Sequence, residues 1–454
     1  MTALAEDLAA WAAGLRAEAV PGTVRRTARR QLLDVVGLCV AARATDYVRA
    51  VVAASDTAGP CTAIGQAGGF DMASAALING AAAHGEDFDD TFEGAPVHPG
   101  AVAVPALLAA CEAHARSGAD LLRGLAVASE TICRLALVAP TAQHRAGFHP
   151  TAVLGVFGAA AGVAAALELT AAETANALGI AGSMASGIIE YLAEGAWTKR
   201  LHPGWAAQSG ARAARLAQAG FTGPRTVFEG THGVFSAFGV PEITPDFGPL
   251  TDGLGETWRM ADVAFKPYAC GTICQPFIDA AIVLAGQGVA AADVGEIRCN
   301  VGEGTVHRLW EPRAEKIAPS TPYSAKFSVP YCVAVGLADR AAGLAQFTPG
   351  RVADPDLLAL AAKVHYDIDP ENAYPASYTA HLTATLESGR TIEAAQPHLR
   401  GGRHAPLTDD ALAAKFADNV AFGGWPAERA AALAALVDGA FEMDDPAALA
   451  ALRG

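Results

Sequence analysis

The stretch Ala152–Leu167 runs for sixteen residues without a polar side chain and is mostly alanine and glycine. A helix that is apolar on every side has no face to turn to water and must be covered all round. The stretch is short of the roughly 20 strongly apolar residues that span a bilayer. It is therefore expected as a buried core helix, with other helices as its cover. Alanine dominates the chain, apolar residues make up 52% and aromatics only 7%. That composition favours packed helices over sheet, and 454 residues leave room for more than one domain.

Periodicity and punctuation predict helices over residues 3–20, 23–42, 72–84, 99–114, 121–138, 151–169, 171–189 and 206–220. Residues 43–70 read as mixed and 140–147 as a loop. The character changes near Ala264. Strands are expected at 296–301 and 364–368, and a hairpin at 381–387 and 390–394 around Ser388-Gly389. Helices fall between them at 278–285 and 331–342, and helix returns at 409–421 and 426–440. The expected class is mainly α: a large all-α domain of residues 1–265, completed by 401–454, with a smaller α+β lid domain at 266–400.

Several functions are disfavoured. Net charge is −15 and no Lys/Arg run occurs, so neither nucleic acid nor membrane is an expected partner. The eight cysteines are scattered with no C-x-x-C, and read as reduced core thiols. Glu6 and Asp7 come too early for a signal peptide, which makes a cytoplasmic protein the expectation. Walker A, G-x-G-x-x-G, H-E-x-x-H and G-x-S-x-G motifs are missing.

Against this smooth background, His84, Asp87, Asp89, Asp90, Thr91 and His98 crowd into fifteen residues. Such a cluster is costly to bury unless its members pair or bind something. The aspartates could hold a divalent cation. For Asp89 and Asp90 the preferred reading is that they cap helix ends and hold a Lys or His in place. His-Pro occurs three times, at His98, His149 and His202, where composition alone gives roughly 0.7. Each pair is placed at an expected helix start. Pro suits the first turn, and the free N–H groups there suit a carboxylate ligand and a neutral imidazole. Lys199, three residues before His202, and Lys266, in F-K-P-Y-A-C, are candidate carboxylate clamps.

Taken in order, N-G-x-x-x-H-x-x-D-F-D-D-T, G-F-H-P-T-A-V-L-G, T-K-R-L-H-P-G, F-K-P-Y-A-C and A-K-F-S-V-P-Y resemble the MmgE/PrpD family. That family includes 2-methylcitrate dehydratase, cis-aconitate decarboxylase and iminodisuccinate epimerase. The resemblance implies a helical domain with an α+β lid, a homodimer, and a cofactor-independent site between the domains for a small di- or tricarboxylate. No metal is implied. It puts site residues at Asp87, Thr91, His98, His149, Lys199, Lys266 and Tyr331. Of these Thr91, together with His202 of the third His-Pro pair, is expected to contact the substrate and the others to be catalytic. The chain departs from the pattern in having Gly100-Ala101-Val102 after His98-Pro99 where true 2-methylcitrate dehydratases carry Ser-Asp-Asn. It also has Gln275 near a position where many members carry histidine.

The expected activity is a lyase of 2-methylcitrate dehydratase type, with proton abstraction next to a carboxylate. Epimerisation of the iminodisuccinate type and decarboxylation of the cis-aconitate type are the alternatives. Two readings lie outside the family: magnesium-dependent prenyl diphosphate chemistry on Asp87, Asp89, Asp90 and Glu93, and a non-catalytic helical ligand-binding protein.

Overall fold

The fold is mainly α, with one small mixed sheet. A computed structural model describes residues 2–56 and 58–454. Thr57, in the stretch read as mixed, lies outside the described residues, as does Met1. The chain divides into two compact units. The first comprises residues 1–85, 89–263 and 416–454; the second comprises 86–88 and 264–415.

The centre of the first unit is the helix Pro150–Ala166, in which every residue is buried. It packs on the helices Gly118–Val138, Thr198–Gln218, Gly100–Ala113 and Ala171–Gly182. Small side chains make that density possible. A Cβ on Gly158 would fall 2.3 Å from Ile132 and 2.7 Å from the Ala128 carbonyl. The helix Met72–His84 meets Thr198–Gln218 in the same way: a Cβ on Gly80 would lie 2.4 Å from the Cα of Gly204. Alanine and glycine thus set the interhelical distance at these crossings.

Helix starts are fixed by side chains that satisfy free N–H groups. Asp71 accepts from Ala73 and Ser74, and Ser117 and Thr170 form capping boxes with Asp120 and Glu173. The first helix ends at Gly14, short of the expected residue 20, and a separate 3₁₀ turn follows at Ala17–Ala19. A helix at Asp46–Ala53 sits within the stretch read as mixed. The helix expected to reach 189 stops at Gly182.

The second unit is built on a four-stranded sheet. Val294–Val301 pairs in parallel with Val364–Ile368 and antiparallel with Ala380–Leu386, which forms the expected hairpin with Thr391–Gln396. Gly389 takes the left-handed conformation at the hairpin turn, with φ 82°. Ile297, Cys299, Leu382 and Ala384 are buried on alternate positions, and the helix Gln275–Gly286 packs on the hairpin strands. The parallel pair needs a crossover, which the helices Val329–Asp339 and Pro355–Ala362 supply. All eight cysteines are unpaired and buried. Among the described residues no helix is long and apolar enough to cross a membrane.

Candidate active site

The helix Met72–His84 delivers His84 as its last residue, wholly inside the protein. The chain then turns back, and Asp89 Oδ2 comes within 2.8 Å of His84 Nδ1. A carboxylate only accepts, so Nδ1 carries the proton. His84 Nε2 is buried with no hydrogen-bond partner among the described residues. Asp90 accepts from the Gly100 amide with both oxygens, at 2.9 and 3.1 Å, and from Gln31 Nε2 at 2.6 Å. It thereby caps the helix Gly100–Ala113 from ten residues upstream. Burial pushes the Asp90 carboxyl up to about 7, with the nearby Asp89 and Asp34 carboxylates adding to the effect and the Gln31 and Gly100 hydrogen bonds opposing it. Both aspartates fill the roles preferred from sequence: one holds a histidine and the other caps a helix.

His98 Nδ1 donates to the Asp90 carbonyl at 2.7 Å, which makes Nε2 the basic nitrogen of the neutral ring. His149 is the N-cap residue of the central helix, with Pro150 at its first position. Its Nδ1 lies 3.2 Å from Nδ1 of His202, so one of the two nitrogens carries a proton and the other a lone pair.

The rings form a continuous series. Centroids are 4.9 Å apart for His98 and His84, 5.4 Å for His84 and His149, and 5.3 Å for His149 and His202. Burial holds the His149 imidazole well below the usual range, with His84, Lys199, His202 and His98 adding to the depression. His202 is lowered to about 4, first by burial and then by His84 and Lys199. For His149 and His202 the depressed imidazoles match the helix-start argument in direction, but burial comes first among the causes and the neighbouring groups follow.

The third His-Pro pair departs from expectation. His202-Pro203 lies inside the helix Thr198–Gln218, one turn past its start. Lys199 and His202 are therefore three residues apart on one helix, and Lys199 is buried. His202 opens onto a cavity of about 590 Å³ whose lining includes Gly187, Tyr191, Thr198 and Trp205. Thr91 is buried in a two-residue strand beside the turn that closes when the Phe92 amide bonds the Val97 carbonyl.

In the second unit Lys266 Nζ donates to the Asp87 carboxylate at 2.8 Å and to its carbonyl at 2.9 Å. Both residues are buried, and Asp87 has a φ of 55°. Tyr331 is fully buried and its hydroxyl donates to the Gln346 carbonyl at 2.7 Å. Burial raises its phenol above the ordinary range.

Residues 84, 89, 98, 149 and 202 thus gather within the first unit, while Asp87 and Lys266 pair within the second. His84 and Asp89 belong to the crowded segment singled out in the sequence but not to the site residues that the family resemblance implied. The signal was there, since the helix ending at His84 was legible, but nothing in the linear order says that the chain doubles back. His84, Asp89 and His98 are also the described residues whose ligating atoms come closest to a metal set, all within 4.8 Å. Both Nδ1 atoms face oxygen acceptors, which leaves the ring lone pairs on the two Nε2 atoms.

Residues 6–244 match the MmgE/PrpD N-terminal domain and residues 268–438 the MmgE/PrpD C-terminal domain. The chain belongs to the MmgE/PrpD family. It is 28% identical over 437 residues to a cis-aconitate decarboxylase-like protein of Aspergillus oryzae, covering 90% of this chain and 89% of that one. The cis-aconitate decarboxylase of Mus musculus is 28% identical over 432 residues, covering 92% and 87%. The Homo sapiens cis-aconitate decarboxylase is 30% identical over 357 residues, covering 76% and 72%. As an MmgE/PrpD protein the chain is an enzyme of lyase or isomerase type, which removes the non-catalytic and the prenyl diphosphate readings.

Proposed function

We propose that this enzyme is a lyase acting on a small tricarboxylate, with decarboxylation of the cis-aconitate type as the reaction. The sequence reading put dehydration of the 2-methylcitrate type first. The relatives named above favour the decarboxylase alternative, and the absence of Ser-Asp-Asn after His98-Pro99 points the same way. The observation that carries the catalytic part is the buried series of four imidazoles beside Lys199.

In this reading the bond from carbon to the departing carboxylate breaks, and its electron pair stays on a carbon conjugated with a second carboxylate. Lys199 and Lys266 bind substrate carboxylates and make that charge tolerable, at several kcal/mol per well-placed cation. One proton taken up from solvent and relayed by an imidazole then goes to the carbon, in place of the lost carboxylate. The His149–His202 contact suits this task, since a proton on one Nδ1 can pass to the other at 3.2 Å. Asp87 holds the Lys266 ammonium in place, and Thr91 and His202 contact the substrate. Tyr331 is a second candidate for moving the proton; its bond to the Gln346 carbonyl must break first. The expected assembly is a homodimer in the cytoplasm.

The test is incubation with cis-aconitate, 2-methylcitrate and iminodisuccinate in heavy water, followed by NMR of the products. Release of CO₂ from cis-aconitate with one deuterium fixed in the product supports the proposal. Loss of water from 2-methylcitrate with cis-aconitate untouched would replace it with the dehydratase reading.

A further inference from the structure

Three consecutive residues of the second unit are each held by a different buried lysine. Lys326 Nζ donates to the Glu86 carbonyl at 2.6 Å and to its carboxylate at 2.7 Å. Lys266 Nζ treats Asp87 in the same way, through carbonyl and carboxylate. Lys415 Nζ donates to the Phe88 carbonyl at 2.7 Å and stands 3.9 Å from the centre of its ring, a cation–π contact. The relative exposures of Lys266, Lys326 and Lys415 are 2%, 1% and 7%.

A buried ammonium is costly unless it is paired and hydrogen-bonded, and fixing a lysine side chain also costs rotamer entropy. Here that arrangement occurs three times within one tripeptide, from lysines far apart in the chain. Each grip takes a main-chain carbonyl as well as a side chain, so it fixes a peptide plane. The middle residue is the one that needs holding, because Asp87 sits in the left-handed region, with φ 55°, which side chains other than glycine adopt less readily. The neighbours Gly85 and Asp89 belong to the first unit, so the tripeptide is held against the second unit by these contacts and not by continuous local structure.

The geometry points to a lysine clamp in which Lys326 and Lys415 are positioning residues. Lys326 fixes the Glu86–Asp87 peptide plane and Lys415 the Phe88–Asp89 plane, which bracket the plane that Lys266 holds, so that the Asp87 carboxylate and the Lys266 ammonium meet the substrate in one arrangement. The role rests on the proposal that Asp87 and Lys266 act on the substrate; the clamp itself does not.

The test joins amide hydrogen exchange to kinetics on Lys326→Met and Lys415→Met. Exchange over residues 86–90 is expected to rise at least tenfold while Pro150–Ala166 stays protected. With it, kcat falls at least tenfold and KM changes by less than threefold. Lys326→Arg, which keeps donors for both acceptors, restores most of kcat. If a methionine variant does not fold, Phe88→Leu removes only the ring under Lys415 and is judged by the same exchange and kcat criteria. Unchanged exchange over 86–90, or exchange raised throughout the chain, overturns the clamp. Exchange raised at 86–90 with kcat intact overturns the positioning role. Should Lys266→Met also keep full turnover, the fault lies with the proposed function instead.

Discussion

His84 Nδ1 lies 2.8 Å from Asp89 Oδ2 with both side chains fully out of solvent. The pair is a carboxylate–imidazole dyad at the end of one helix, with the His98 and His149 rings packed against the imidazole and 6.4 Å from each other. Asp89 fixes which nitrogen carries the proton, and so orients the ring against which the other two pack.

Asp89→Asn replaces a carboxylate by an amide that can turn either its oxygen or its NH₂ toward the ring. The expected result is a folded protein with kcat lowered about 100-fold, the low end of what positioned proton transfer contributes. His84→Gln should lose at least as much. Steady-state kinetics with the substrate found by the NMR panel checks both.

The His149–His202 pair makes stability depend on pH in one direction. Burial and neighbouring cations hold both rings neutral in the folded protein, and His202 falls from 6.5 to about 4. A lowered folded pKa means that its stabilisation is complete above the ordinary imidazole pKa and is lost as pH falls from about 6.5 toward 4. The His202 part amounts to on the order of 3 kcal/mol. Thermal melts of the wild type should drop steeply between pH 6.5 and 4.5, and His202→Gln should flatten that slope. An equal slope in the variant would refute it.

Asp90 works in the opposite sense. Its folded pKa of about 7 lies above the carboxylate reference of 3.8. A raised folded pKa gives stability that is complete below about 4 and is lost as pH rises through 7. In Asp90→Asn this dependence should vanish. The new amide also turns a donor toward Gln31 Nε2 or the Gly100 amide, which both now donate to Asp90. At pH 7 the variant should lose about 1–3 kcal/mol, measured by urea unfolding.

Gly80→Ala tests the close crossing of Met72–His84 and Thr198–Gln218. The added carbon would lie 2.4 Å from the Gly204 Cα and 2.5 Å from its amide nitrogen, and backbone on both sides cannot swing away. Overpacking of this kind costs about 1–3 kcal/mol or more. Because these helices carry His84 and His202, kcat should fall at temperatures well below the melting point. A melt lowered by several degrees with full kcat would limit the effect to packing.

Linear sequence determined a good deal of this. The all-apolar run Ala152–Leu167 required helical cover, and it became the fully buried helix Pro150–Ala166. Alternation and a Ser-Gly turn gave the hairpin of Ala380–Leu386 and Thr391–Gln396, because a period of two and a residue with positive φ are local properties. The crowding of His84–His98 and the three His-Pro pairs marked the polar residues of interest. Motif order brought the family, and with it lysines that composition would have left on the surface.

The tertiary fold decided what those residues do to one another. Pro203 was read as a helix start because proline prefers the first turn; instead the helix begins at Thr198 and carries proline in its second turn. The parallel pairing of Val294–Val301 with Val364–Ile368 depends on a crossover of some sixty residues, which no local pattern encodes. The depressed imidazoles at 149 and 202, the raised carboxyl at 90 and the lysine grip on 86–88 share one origin. Burial and charge act through space, and which groups become neighbours depends on how distant segments pack, a quantity that spacing along the chain does not contain.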